Sequence, residues 1–561
     1  MQADISAAIA ARYQDLNIDW NVDVTAYPSI VSLFEEAMRN FADLPVCSSL
    51  GHSLTYQELD RLSANFASWL QIDSGLAKGD RVAIQMPNLM QYLVACMGTL
   101  RAGMVVVNTN PLYTERELEH QLNDSGARVL VVQANVAEVA SKVVAKTKVE
   151  QVVLTEIADL HPVPKRWLVN GVVKYVKKMV PKVHFSNVIK FNQALRRGAT
   201  QAFTPVDVSL DDLAMLQYTG GTTGLAKGAM LSHGNIVANV MQLDGFFETF
   251  GIEAQGSVFM QPLPVYHIYA FTISMYSLKK GAHTLFIPNP RDLGSVVDAF
   301  EQYKPTVFCG LNTLFVALCN DPRFQSLTFE NLALTMSGGM ALTQDAAERW
   351  AEVTECKVYE GYGLTETSPT ATSNPGNGRQ LGTIGIPVPQ TEVKTVNEHG
   401  ETLGFGDAGE LCIKGPQVMQ GYWQRPEATA EVLDESGWFS TGDVAVIQPD
   451  GYLKIVDRIK DMIIVSGFNV YPNELEDVCA KHSGVLECAA VGVPSETTGE
   501  GIRMYVVKSD SALTEDDIIA YMREQVTGYK VPKSVVFRDE LPKTNVGKIL
   551  RRELRDEATN D

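Results

Sequence analysis

The chain lacks any apolar run of about 18 residues, the length a helix needs to cross a bilayer. Its best candidate, "YLVACMGTLRAGMVVV", is interrupted by Arg101. It lacks a secretory start as well: "MQADISAAIAARY" carries Asp4 and no basic stretch ahead of an apolar core. Paired cysteines are missing. The eight cysteines are scattered from Cys47 to Cys488 with no Cys-x-x-Cys, and the nine histidines show no ligand spacing. That argues against a disulfide framework or a zinc site and points to reduced, buried thiols in a cytoplasmic protein. Positive charge is scarce too: 47 Lys and Arg against 66 Asp and Glu leave a net charge of −19. Such a balance argues against nucleic acid as a partner, because a phosphate backbone needs a basic face. Repeats and low-complexity segments are absent.

What is present is a long, ordinarily globular chain. At 561 residues it exceeds what one core sustains, so two or more domains are expected. The first two-thirds alternate helix and strand signals. "LTYQELDRLSANFASWL" opens with Thr55 and Glu58 as a capping box, and Leu59, Leu62, Phe66 and Leu70 then share a helical face. "LMQYLVACMGTLRAG" reads as a helix stopped by Gly103. "DRVAIQM", "MVVV", "ARVLVVQA" and "EQVVLT" read as strands. The pattern is α/β with buried, parallel sheets. The last hundred residues differ. "LECAAVGVP" and "IRMYVVKSD" are strands close together, and "TEDDIIAYMREQV" is a capped helix, which together make a small α+β domain. "VDRIKDM", residues 456–462, is the expected boundary.

One segment reverses the overall charge. Residues 160–206 hold nine Lys or Arg and no Asp or Glu. Within it, "VNGVVKYVKKMVPK" puts Val172, Val173, Val176, Met179 and Val180 on one helical face, with Lys174, Lys177 and Lys178 off it. Two readings stand: a basic amphipathic helix on an anionic membrane, or a surface helix packed on its own domain.

The chemistry-bearing stretch is "YTGGTTGLAKGAM", residues 218–230. Small residues let backbone N–H groups converge on an anion, threonine hydroxyls add donors, and Lys227 adds a point charge. It is not a Walker A loop, because Gly224 and Lys227 are not adjacent. A phosphate cradle and a plain flexible turn both fit. Downstream, "YEGYGLTET" ends in an exposed-looking acid, Glu366, suited to a magnesium ion beside a triphosphate, or else a solvated turn acid. "GWFSTGDVA" places Asp443 after Thr-Gly, a turn that would expose a carboxylate able to accept from both ribose hydroxyls. Arg458 and Lys460 precede an apolar strand, and "LPKTNVGKILRREL" offers Lys548 on a glycine-containing loop.

Together and in this order, these segments resemble the adenylate-forming superfamily of acyl-CoA synthetases, luciferases and peptide-synthetase adenylation domains. The likeness runs over roughly residues 25–555 and is nearest to the bacterial long-chain fatty acid–CoA ligases. The segment at residues 436–477 is similar to that group's signature, except that Ser436 stands where asparagine is expected. "GLNTLF" and "PLPVYHIYA" look like its acyl-pocket segments.

The resemblance implies an α/β fold of stacked sheets and helices over residues 1–456, a hinge at 457–460 and a mobile α+β lid over 461–561. It implies that Tyr218, Thr219, Gly220, Gly221, Thr222, Thr223, Gly224, Lys227, Gly228 and Ala229 wrap the phosphates of ATP. Glu366 would hold Mg2+ with Thr222, and Thr365 would lie nearby. Gly338 and Gly339 of "SGGM", with Tyr359, Gly361, Tyr362 and Gly363, would flank the adenine. Asp443 and Arg458 would bind the ribose, and Lys548 would reach the carboxylate and the α-phosphate. His267, Gly310 and Gly339 would border the acyl pocket, Gly467 the coenzyme A thiol tunnel, and Lys460 would be the hinge residue.

The implied substrates are a long-chain fatty acid, ATP and coenzyme A. The implied location is cytoplasmic, with peripheral contact at the inner membrane surface, and a homodimer is compatible. Alternatives are a medium-chain or aryl-acid CoA ligase, a ligase that loads a carrier protein, and a non-catalytic sensor on the same fold. The joint presence of Lys548, Glu366, Asp443 and Arg458 argues against the sensor.

Overall fold

Alternation of β-branched strands with amphipathic helices builds two large sheets in the N-terminal part of the chain. The computed structural model describes residues 1–219, 226–495, 497–543 and 549–560. The first sheet has seven strands in the order Val188–Lys190, Gln151–Thr155, Val129–Gln133, Arg81–Gln85, Val105–Thr109, Leu213–Thr219, Lys227–Ser232. Its pairs are parallel except the last, an antiparallel hairpin with Thr219 opposite Lys227. The second sheet has nine strands, with a parallel centre that includes Val307–Gly310, Leu334–Ser337 and Val358–Gly363. A four-stranded antiparallel sheet follows, ending in the pair Phe439–Ile447 and Leu453–Arg458.

The expected elements fall where the sequence put them. Thr55 and Glu58 exchange side-chain and backbone hydrogen bonds of 2.9 and 3.1 Å at the start of helix Tyr56–Ile72, whose Leu59, Leu62, Phe66 and Leu70 are buried. Helix Met90–Arg101 is buried on every side, because it packs between the first sheet and helix Tyr56–Ile72. The charge that breaks its apolar run is matched: Arg101 meets Glu35 at 3.0 Å and Asp60 at 2.8 Å. No helix among the described residues is long and apolar enough to cross a membrane. All eight cysteines are free and buried.

The chain leaves the four-stranded sheet at Arg458, makes a 3-10 turn at Ile459–Asp461 and enters a separate five-stranded sheet at Ile463–Val465. There Val485–Ser495 and Gly499–Lys508 pair antiparallel and Ser534–Arg538 adds in parallel. Thr514 and Asp517 cap helix Glu515–Gln525. This small α+β unit has its own core around Val465, Leu475, Met504, Ile518 and Met522.

The basic segment departs from expectation. It is not one helix over residues 170–182. An α-helix begins earlier, at Val163–Gly171, and runs into a π turn at Val172–Val176, where the Lys177 N–H reaches the Val172 carbonyl at 2.8 Å. Lys178, at φ 52°, then ends it. Bonding to the fifth residue breaks the 3.6-residue period, so Met179 and Val180 leave the anticipated face. Val163, Trp167, Leu168, Tyr175, Val176 and Met179 are the large apolar residues of this segment that reach solvent.

The helix pairing makes a direct test. A Cβ on Gly98 would sit 2.8 Å from both the Phe66 Cβ and the Ser63 carbonyl oxygen. Gly98→Val is expected to cost about 1–3 kcal/mol by overpacking, seen as a lower urea midpoint for the N-terminal part. An unchanged midpoint would contradict the close approach of the two helices.

Candidate active site

The hairpin strands of the first sheet, the Glu366 turn, Tyr362 of the second sheet and the Asp443–Arg458 pair of the antiparallel sheet lie next to one another. Hairpin strands Leu213–Thr219 and Lys227–Ser232 carry Tyr218, Thr219, Lys227, Gly228 and Ala229. Gly220, Gly221, Thr222, Thr223 and Gly224 at its tip lie outside the described residues, as does Lys548. Tyr218 is buried and donates its hydroxyl to Asp124 at 2.8 Å; burial, then that carboxylate, pushes the phenol up. Gly228 is required by a close approach, since a Cβ would stand 3.1 Å from the Tyr218 ring.

A segment the sequence reading passed over completes this wall. Ala229 bridges Tyr422, the Met230 N–H donates to the Gly421 carbonyl at 2.9 Å, and the Trp423 N–H donates to the Gly228 carbonyl at 2.8 Å. Lys227 holds its ammonium 5.0 Å over the Tyr422 ring. Gly421 has φ 135°, and the pair of aromatics after a glycine in "QGYWQ" was the one available signal.

Glu366 sits in the 3-10 turn Thr365–Thr367, packed against both hairpin strands. The expectation of an exposed acid is corrected: Glu366 is only 8 % exposed. The turn is folded inward because the Met419 N–H donates to the Glu366 carbonyl oxygen at 2.8 Å. One carboxylate oxygen accepts the Tyr422 hydroxyl at 2.7 Å. Burial raises the Glu366 pKa, and the Tyr422 hydrogen bond opposes that rise. Among the described residues no Lys or Arg forms an ion pair with this carboxylate, and no cluster of three or more His, Cys, Asp or Glu stands ready for a metal.

Asp443 is corrected in the same way. The Thr-Gly turn does not expose it; it is 6 % exposed. Antiparallel pairing sets Asp443 directly opposite Arg458, with Arg458 Nε at 3.4 Å, while Tyr362 donates its hydroxyl to the other oxygen at 2.6 Å. Tyr359, Gly361, Tyr362 and Gly363 lie on strand Val358–Gly363, beside the strand that ends at Ser337. Gly338 and Gly361 leave room at that edge: a Cβ on Gly338 would come 3.5 Å from the Gly361 carbonyl. Gly363 admits no side chain, because a Cβ would lie 1.9 Å from the Pro369 carbonyl oxygen.

The acyl-side residues cluster separately. His267 precedes helix Ile268–Lys279, and burial lowers its pKa to about 4, so the imidazole is neutral at pH 7. Gly310 ends its strand against Phe315, whose ring a Cβ would meet at 2.5 Å, and Gly339 at φ 85° has only Leu311 within 4.0 Å.

The remaining positions belong to the domain junction and the small domain. Burial, then Arg458, lowers the Lys460 pKa. Gly467, at φ 83°, forms with Ser466, at φ 52°, the two-residue turn of an exposed hairpin, with nothing within 4 Å of where a Cβ would be. It makes no described contact with the nucleotide-side residues. Sequence reading also missed Arg551. It bonds Glu476 at 2.5 Å and stands 3.6 Å from Asp457 and from Asp461 on either side of Lys460. Asp457 is fully buried, and its pKa is raised to about 6 by burial against the pull of Arg551.

Glu360 supplies a pH test. Burial raises it to about 7 from 4.5, against a Gly382 N–H donated at 3.3 Å. Between those values the fold holds a proton that the unfolded chain releases, so Glu360 contributes a loss of stability as pH rises from about 4.5 to about 7. Glu360→Gln is expected to remove that slope, gaining on the order of 3 kcal/mol at pH 8 relative to pH 4. Parallel stability–pH curves for variant and parent would contradict it.

This geometry has known counterparts. The profile of the AMP-binding enzyme family matches residues 34–423, and that of the AMP-binding enzyme C-terminal domain matches residues 474–548. A long-chain-fatty-acid–CoA ligase of Salmonella typhimurium is 52% identical over 536 residues, 95% of each chain. One from Haemophilus influenzae is 49% identical over 539 residues, 96% of each chain. Among solved structures, ATP-bound MatB from Rhodopseudomonas palustris superposes with a TM-score of 0.80 at 30% identity, covering 94% of this chain and 98% of that one. With a large α/β N-terminal part, a smaller C-terminal domain and both profiles matched in order, this chain belongs to the AMP-binding enzyme family.

Proposed function

We propose that this protein is an AMP-forming long-chain fatty acid–CoA ligase, converting ATP, a fatty acid and coenzyme A to acyl-CoA, AMP and diphosphate through an acyl-adenylate. The observation that carries the reading is the convergence of the Gly/Thr hairpin, Glu366 and the Asp443–Arg458 pair on one junction. The near-full-length relatives that are long-chain-fatty-acid–CoA ligases support the long-chain substrate.

A carboxylic acid is a poor electrophile because its oxygen leaves badly. Attack of the carboxylate on the α-phosphorus of ATP forms the mixed anhydride and expels diphosphate. The thiol of coenzyme A then attacks the acyl carbonyl and AMP leaves. Charge grows on the phosphoryl oxygens in the first step, so catalysis is mainly electrostatic. The residues divide the task. Tyr218 to Ala229 cradle the phosphates, Asp443 and Arg458 hold the ribose, and the glycine-lined edge at Gly338 and Gly361 admits the adenine plane. Lys548 brings an ammonium to the carboxylate and the α-phosphate. Neutral His267 borders the acyl carbonyl without adding charge, Gly339 leaves room beside Leu311 for the acyl chain, and Gly310 lets Phe315 pack closely at the wall. Each buried methylene of the substrate contributes about 0.8 kcal/mol there.

The donor set at Glu366 fits Mg2+. It is a buried carboxylate with one phenol donor and no ion-paired cation among the described residues, joined in this reading by Thr222. Bound there with ATP, Mg2+ would supply positive charge to the phosphate oxygens and reverse the burial-driven rise in the Glu366 pKa.

The domain assignment, residues 1–456 and 461–561 about a hinge at 457–460, belongs to the same proposal. Lys460 turns the small domain between a position that serves adenylation and one that brings Gly467 to the thiol. Cytoplasmic placement with peripheral contact at an anionic membrane, through the exposed apolar and basic surface of residues 163–179, completes it.

Given ATP, Mg2+ and acids from hexanoic to octadecanoic, the protein is expected to release diphosphate and AMP fastest with the longer chains. Preference for hexanoate or an aryl acid would overturn the substrate assignment. Lys548→Ala is expected to slow adenylate formation by a hundredfold or more, on the order of losing one transition-state donor, while sparing thioester formation from supplied acyl-adenylate. Equal loss of both half-reactions would contradict the two-position scheme.

A further inference from the structure

Beside the exposed helix Val163–Gly171 and its π turn lies an open cleft of about 370 Å3, closed on its other side by Lys190 and helix Phe191–Gly198. Four cations line it: Arg166, Lys174, Lys190 and Arg196. They come from separate segments that the fold brings together. None of the four has a carboxylate at ion-pair distance among the described residues; Lys174 only lies 5.5 Å over the Tyr175 ring. The two acids at the cleft are already engaged. The Asn170 amide donates to Glu156 at 3.0 Å and to Asp159 at 3.4 Å, and Asp159 also accepts the Thr155 hydroxyl at 3.1 Å and the Glu156 N–H at 2.8 Å. Arg166 acts on Asp159 through space, yet four cations against two carboxylates leave the cleft with an excess of positive charge, in a protein whose net charge is −19.

The mouth of the cleft is apolar. Trp167 is 70% exposed and Tyr175 72%, and Leu168 and Val176 continue the surface. Large side chains so exposed and so close together mark a surface that is covered by something. A second copy of the chain is disfavoured, because a symmetric contact would set the same basic cleft against itself. A bilayer accounts for both features: tryptophan and tyrosine settle at headgroup depth, and lysines and arginines meet anionic lipid.

We propose that this cleft binds the phosphodiester headgroup of an anionic membrane lipid, with Lys190 and Arg196 as the cations of the wall opposite helix Val163–Gly171, so that the docking surface recognises lipid as well as adhering to it. The inference rests on the membrane contact proposed above but goes further: adhesion needs only diffuse charge, whereas a headgroup site needs these four groups around one cavity.

The test uses the full chain and separates the two. Dihexanoyl phosphatidylglycerol, kept below its micelle concentration, is titrated by calorimetry against the parent, against Lys190→Ser/Arg196→Ser, and against Lys177→Ser/Lys178→Ser. The last pair removes the same charge from the same surface outside the cleft. Circular dichroism checks that each variant folds. The expected result is saturable binding to the parent and to the Lys177/Lys178 variant, at least tenfold weaker binding to the Lys190/Arg196 variant, and none of dihexanoyl phosphatidylcholine. Inorganic phosphate binding as tightly as the lipid would overturn the lipid assignment in favour of a free-phosphate site.

Sedimentation with phosphatidylglycerol vesicles runs in parallel. Vesicle binding weakened equally by both double variants, without monomeric-lipid binding, would overturn the headgroup site and leave membrane contact standing. Absence of vesicle binding by the parent would remove the membrane reading and this inference with it. A concentration-dependent dimer abolished by Trp167→Ser/Leu168→Ser would assign the surface to protein association and overturn the proposal.

Discussion

A carboxylate withdrawn from water must be matched by donors or by a cation. Glu366 is withdrawn from water and has one phenol. Most of the N-terminal architecture around the site can be traced to that requirement. The Tyr422 hydroxyl reaches Glu366 because its segment is pinned to the hairpin by two backbone hydrogen bonds, the Met230 N–H of the hairpin donating to Gly421 and the Trp423 N–H donating to Gly228 of the hairpin. The hairpin is placed in turn by the five other strands of its sheet, which run parallel and pack against helices such as Met90–Arg101. The same hydrogen bond therefore fixes a carboxylate and fixes the hairpin relative to it. With Lys227 over the Tyr422 ring and Glu366 at its hydroxyl, one aromatic side chain lies between a cation and an acid.

The second constraint is the antiparallel register that sets Asp443 across from Arg458. It joins nucleotide recognition to domain geometry, since the chain leaves that sheet immediately after Arg458. Arg551 extends the connection. Its contacts to Glu476, Asp457 and Asp461 tie the last helix to both flanks of Lys460. The proposed turning about Lys460 would alter at least some of those contacts, so Arg551 would link the last helix to that movement through a charge network.

Much of this was legible in the sequence because it is written locally. The capping box at Thr55, the buried helix ending before Gly103, the strand pair in the small domain and the order of the Gly- and Thr-rich segments each depend on residues close together in the chain. What was misread depends on tertiary contact. Glu366 and Asp443 looked exposed because both follow turn-forming residues; their burial is set by Met419, Tyr422 and Tyr362, which lie far away in sequence. The helix at residues 163–176 was misplaced because a π turn breaks the period on which the reading relied. Tyr422 and Arg551 carried no local pattern strong enough to single them out.

The central claim is that Tyr422 holds the buried Glu366 carboxylate in its charged form at the phosphate site. The most direct measurement is the pH dependence of fatty-acid-dependent diphosphate release in Tyr422→Phe. The Tyr422 hydrogen bond favours the charged form of Glu366, so losing it raises the pKa of this buried carboxylate further. The acid limb of the profile should therefore move to higher pH, with the alkaline limb unchanged. An acid limb that stays where the parent's lies would contradict the account.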